Sequence, residues 1–184
     1  IYFDVENVDG MGVVYTKGGD YSAILFMNNP VKKYSADTDS YYDFNNTMTS
    51  VIQSLGDNYA IHKQDIFVRR KFNMAEVLGK DAAKKRNFLS EAYFRFFNGR
   101  LYTSSESYLV ITQKGKAGGL HTYDAGQWKD FLVKCQKVMD RLKNDQIVCH
   151  WLKADECRNY CERYYAMDFV HRNFSMTDFK VSNE

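Results

Sequence analysis

The clearest pattern along the chain is a pair of β-rich runs, Val13–Thr16 and Tyr21–Met27, flanking Lys17-Gly18-Gly19-Asp20. Glycine supplies the positive φ that a tight turn needs, so this spacing predicts a β-hairpin. The only proline, Pro30, then leads out of the sheet toward Ser35, Asp37 and Asp39, all good helix-capping residues. Phe44, Met48, Val51, Ile52 and Leu55 follow at helical spacing, and Gly56 is suited to end that helix in a left-handed cap. Tyr59–Phe72 reads as a long strand with a β-rich centre at Ile66, Phe67 and Val68 and a basic tail at Arg69-Arg70-Lys71. Residues 73–86 carry little pattern and end in Lys84-Lys85-Arg86, which predicts a loop into a second helix.

That second helix is lined by Phe88, Leu89, Ala92, Tyr93, Phe96 and Phe97 and stopped by Asn98-Gly99. Its wide apolar stripe predicts packing on a sheet. Tyr108–Gln113 and Leu120–Tyr123 read as a second hairpin around Lys114-Gly115-Lys116-Ala117-Gly118-Gly119. Asp124 with Gln127 forms a capping-box pattern, and Trp128, Phe131, Leu132, Cys135, Val138, Met139 and Leu142 mark the best amphipathic helix in the chain. A short buried strand at Ile147–Leu152 leads to a fourth helix through Cys157, Tyr160, Cys161, Tyr164 and Tyr165, with Asp155-Glu156 at its favourable N-terminal end. Phe174–Val181 closes the series as a strand. Hairpins mixed with helical crossovers predict an α+β fold: a largely antiparallel sheet with about four helices, as a two-layer sandwich or two small lobes.

Composition supports a globular chain. Its 184 residues are 45% hydrophobic and 16% aromatic, and a domain of this size buries roughly 70% of its unfolded surface. The apolar runs fall far short of the roughly 20 residues that cross a bilayer. A net charge of +2 is too small for bulk attraction to nucleic acid or anionic lipid, so either partner would need a local patch. Four cysteines without dense, regular spacing read as reduced thiols in a cytoplasmic protein. The chain opens on Ile1-Tyr2-Phe3 and closes just after a strand-like alternation, which reads as a piece of a longer protein.

Candidate chemistry is sparse. Gly10-Met11-Gly12, Gly18-Gly19 and Gly115–Gly119 lack the spacing of phosphate loops and read as turns. His62 with Asp65, and Asp168 with His171, lie three apart in extended segments, so each pair points to opposite faces and forms no catalytic dyad. Cys149, His150, Cys157 and Cys161 carry ligand chemistry but not zinc spacing, and they read as core residues with no metal. Arg69, Arg70, Lys84, Lys85 and Arg86 could form one basic contact patch, for a partner or for DNA.

Several strings nevertheless carry a family resemblance: Tyr34-Ser35-Ala36-Asp37 into Tyr41-Tyr42-Asp43-Phe44, His62–Arg69, Phe88–Arg100, Tyr108–Gln113 and Ala166-Met167-Asp168-Phe169. Across nearly the whole chain these resemble the start of the TraG proteins of Bacteroides-type conjugative transposons. That family resembles the ATPases of type IV secretion systems, in which an N-terminal α+β domain precedes a RecA-like motor with Walker motifs. No Walker motif occurs here. The resemblance therefore implies a non-catalytic N-terminal assembly domain, cytoplasmic and peripheral at the inner membrane, with ATP and magnesium belonging only to a downstream motor. Its implied partners are inner-membrane components of the conjugation apparatus, its own motor and neighbouring subunits. The alternative is an accessory domain that touches DNA through the basic patch.

Overall fold

A computed structural model describes residues 2–28, 34, 37–75, 87–115 and 124–170. The elements run β1 (Tyr2–Val8), β2 (Met11–Thr16), β3 (Tyr21–Met27), α1 (Thr38–Leu55), β4 (Tyr59–Lys71), α2 (Phe88–Phe97), β5 (Leu101–Gln113), α3 (Ala125–Asn144), β6 (Cys149–Trp151) and α4 (Ala154–Ala166). The six strands form one antiparallel sheet in the order β1-β2-β3-β5-β4, with β6 also paired to β3. This is the α+β fold that the hydrophobic pattern predicts. The chain divides into two compact units, Ile1–Ile66 with Glu106–Glu184, and Phe67–Ser105.

Within the larger unit, side-chain alternation explains the layering. Val13, Ala23, Leu25, Met27, Leu109 and Ile111 share one face of the sheet and join Val51 and Leu55 of α1 and Phe131, Cys135, Val138 and Leu142 of α3 in the main core. Residues of opposite parity look the other way. There Tyr108 packs on Tyr160 of α4, with ring centres 4.8 Å apart, and Gly12 lies against Cys157 and the start of α4. Helices thus cover both faces, a fuller layering than the expected two-layer sandwich, because α4 lies on the face that α1 and α3 leave open.

The hairpin turn forms as expected, with Gly19 at φ +85° and the Gly19 amide donating to the Thr16 carbonyl at 3.0 Å. Helix α1 starts on Asp37, whose carboxylate accepts from the Ser40 amide at 2.7 Å. Gly56 takes a positive φ, but its ψ of −169° places it outside the left-handed helical region. The Leu55 carbonyl is instead satisfied by the Lys134 ammonium. Asp124 caps α3 by accepting from the amides of Gly126 and Gln127.

Several expectations change. β1 is a strand that the pattern did not predict, joined to β2 through Asp9 and Gly10, both at positive φ. β5 begins at Leu101 rather than Tyr108, because Leu101–Ser107 takes its strand form from pairing with β4. The short strand expected over Ile147–Leu152 is confined to Cys149–Trp151. Most of the loop expected over 73–86, and the strands expected at Leu120–Tyr123 and Phe174–Val181, lie outside the described residues.

Candidate functional site

In the larger unit, several groups with acid, base or nucleophile chemistry are tied up by their neighbours. Glu106 and Arg163 are 7% and 4% exposed and meet at 3.1 Å. A buried pair of this kind is held by hydrogen bonds rather than offered to a substrate. Tyr108 donates to Glu106 at 3.0 Å, and Arg163 also donates to the Phe169 carbonyl. Burial, with Glu106 alongside, pushes the Tyr108 hydroxyl up to about 12, so it keeps its proton. Tyr160 donates to the Gln64 amide oxygen, and burial raises its hydroxyl further still.

Asp65 accepts from Lys63 and from the Ser107 hydroxyl. Burial works against its ionisation, but these hydrogen bonds outweigh it and hold the carboxyl below the ordinary carboxylate range. Its partners are therefore Lys63 and Ser107, not His62. Asp168 accepts from the Val170 amide at 3.0 Å, and His171 lies outside the described residues.

The thiols behave as packing groups. Cys135 and Cys157 are buried, and burial pushes both up to about 12. Cys157 points its sulfur at the carbonyls of Gly12 and Leu152, and Cys149 at the Met139 sulfur. Burial likewise pushes Cys161 up to about 11. High thiol pKa values suppress the thiolate, which is both the nucleophile and the metal ligand. His150 lies against Phe26 with ring centres 5.2 Å apart. Among the described residues, no group of three or more His, Cys, Asp or Glu is placed to hold a metal.

Two of the glycine-rich spots meet, with Gly115 lying against the Gly18-Gly19 turn. Gly115 donates its amide to Asp20 at 2.8 Å, and a Cβ there would fall 2.6 Å from the Gly18 carbonyl oxygen. An open groove of about 470 Å³ beside them is lined by Asn58, Gln113, Lys114, Gln127 and Asp130, and among the described residues it offers mixed polarity without an organised reactive group.

The second unit, Phe67–Ser105, is built differently. Its strand ends are closed by the Phe72 amide donating to the Arg100 carbonyl and the Gly99 amide to the Phe72 carbonyl, each at 2.8 Å. Asn87 caps α2 by accepting from the Ser90 amide. The helix leans inward through Phe94, which stacks on Phe72 at 6.1 Å. No residue of α2 is buried. Phe88 is 83% and Leu89 75% exposed, and Tyr93 and Phe96 are also exposed. The expectation that this apolar stripe packs on a sheet is therefore corrected: a unit of 39 residues has too little interior to cover it.

The basic residues of the sequence reading are only partly assembled. Arg69 is exposed, whereas Arg70 is half-buried and donates to the Ser104 hydroxyl at 3.0 Å. As neighbours on a strand they point to opposite faces. Lys84, Lys85 and Arg86 lie outside the described residues. Arg95 pairs with Glu91, and the Arg100 guanidinium sits 3.6 Å from the centre of the Phe96 ring. Sequence reasoning missed Arg95 and Arg100 because neither belongs to a charge run. The signal available was their place at the end of α2 and just beyond it, beside an aromatic stripe.

Among the described residues, no helix is long and apolar enough to cross a membrane. No protein-family model and no curated protein matches this chain.

Proposed function

We propose that this chain is a non-catalytic assembly and docking domain of a TraG-like conjugation ATPase. In this reading it holds a downstream motor at the inner membrane, where the membrane components of the conjugation apparatus are its partners. The carrying observation is the concentration of exposed large apolar side chains in one small unit: Phe67, Phe88, Leu89, Tyr93, Phe96 and Leu101. Exposed apolar side chains gathered on one element mark contact sites, and aromatic side chains are favoured as their anchors. The internally bonded carboxylates, hydroxyls and thiols of the larger unit suit a scaffold.

The test is capture of detergent-solubilised inner-membrane components by the immobilised chain. The parent should retain at least one component, and the double variant Phe88→Ser, Leu89→Ser should release it. Retention of none by the parent would reject the reading. Both positions are exposed, so loss of capture reports on contact rather than on folding.

A further inference from the structure

We infer that the outward stripe of α2 seats the Phe67–Ser105 unit directly on an anionic phospholipid surface. The inference rests on the docking reading of this face and names what the face touches.

Three observations carry it. First, Phe88, Leu89, Tyr93 and Phe96 fall within about 140° of arc at 100° per residue, and all four are exposed. Phe94, on the other side of the helix, makes the inward contact with Phe72. An apolar stripe of Phe, Leu and Tyr on a helix held at its opposite side fits an amphipathic element lying in a membrane interface.

Second, the charge is partitioned. Residues 67–105 carry nine Lys and Arg against three Asp and Glu, a net +6, while the remainder of the chain carries −4. Basic side chains near an anionic bilayer are drawn to its surface, each adding to the attraction. The sign therefore selects an anionic occupant for this unit and disfavours one for the rest.

Third, the cations stand at the apolar stripe itself. Arg100 lies over the Phe96 ring, and Arg95 projects from the same helix. Guanidinium groups beside aromatic rings match headgroup depth, with the rings reaching toward the acyl chains. Stacking nucleobases is a poorer match: Arg100 covers one face of Phe96, Phe96 and Phe97 meet edge to face at 5.1 Å, and Leu89 offers no ring.

The experiment is co-sedimentation of the full chain with protein-free vesicles, of phosphatidylcholine alone or mixed with phosphatidylglycerol. The chain should pellet with the mixed vesicles, stay in solution with phosphatidylcholine alone, and be released by added salt. Phe88→Ser with Leu89→Ser should weaken the binding by roughly a hundredfold, since two apolar side chains lose their burial. Arg95→Gln with Arg100→Gln should reduce both affinity and salt sensitivity. Equal binding to both vesicle types, or no loss in the Phe88/Leu89 variant, overturns the inference. So does binding of a fluorescent oligothymidylate, lost in that variant, without vesicle binding. Capture of membrane proteins without vesicle binding rejects the lipid contact and leaves the docking function standing; vesicle binding without capture does the reverse.

Discussion

Gly12 sits where β2 meets the start of α4, and its amide donates to the Leu152 carbonyl at 2.7 Å. An added Cβ would meet the Cys157 sulfur and the Lys153 carbonyl carbon at 2.8 Å and the Ala154 nitrogen at 2.9 Å. Two of those atoms are backbone and cannot swing aside. Gly12→Ala should therefore destabilise by about 1–3 kcal/mol, read from the urea midpoint. Arg163 poses a different problem, because Glu106 is buried with it. Arg163→Met should cost about 3–5 kcal/mol by stranding that charge, whereas adding Glu106→Leu should recover much of the loss. Asp65 supplies a pH signature. Its folded pKa lies below 3.8, so the unfolded carboxyl takes up a proton first as pH falls. The stabilisation is complete above the ordinary carboxylate range and disappears as pH drops through the lowered folded value. Asp65→Asn should flatten the fall of the urea midpoint over roughly pH 2–5.

The elements divide by how much of their cause is local. Helix α3 was legible because Phe131, Cys135, Val138 and Leu142 lie on one stripe, and all four are buried. Phe131→Ala should cost about 3–5 kcal/mol, while Val133→Ala, 44% exposed on the same helix, should stay within about 0.5 kcal/mol; thermal unfolding followed by circular dichroism separates them. The β2–β3 hairpin was legible for the same kind of reason, since its turn chemistry lies inside it. Strand β1 was not, because alternation over Phe3, Asp4, Val5 and Glu6 is short and acidic. The Ser-rich start of β5 owes its strand form to pairing with β4, and no local pattern encodes a distant partner. Helix α2 is legible as a helix, but the exposure of its stripe is not. Core and contact stripes have the same period, and only tertiary context decides which one is covered. The candidate contact face was hidden from the sequence by this ambiguity, while the turn role of Gly18-Gly19 was readable directly.

For the molecule as a whole, a net charge of +2 conceals a unit at +6 joined to a remainder at −4. At pH 8.3, the sequence pI, an evenly mixed surface would pass through a sulfonate column. This chain should be retained at low ionic strength and eluted by salt, and immediate flow-through would count against a concentrated basic unit. The sheet joins distant parts of the chain in a comparable way. β3 pairs with β5 along one edge, from Tyr21 opposite Gln113 to Met27 opposite Ser107. Its other edge is shared, with Tyr21–Ala23 against β2 and Leu25–Met27 against β6. The consequence is temporal. During synthesis the β1–β2–β3 meander emerges before β5 and β6, so β3 keeps one bare edge until β5 is made and part of the other until Trp151 has left the ribosome. Until then Leu25–Met27 is an unpaired apolar segment, open to wrong pairing with another extended chain.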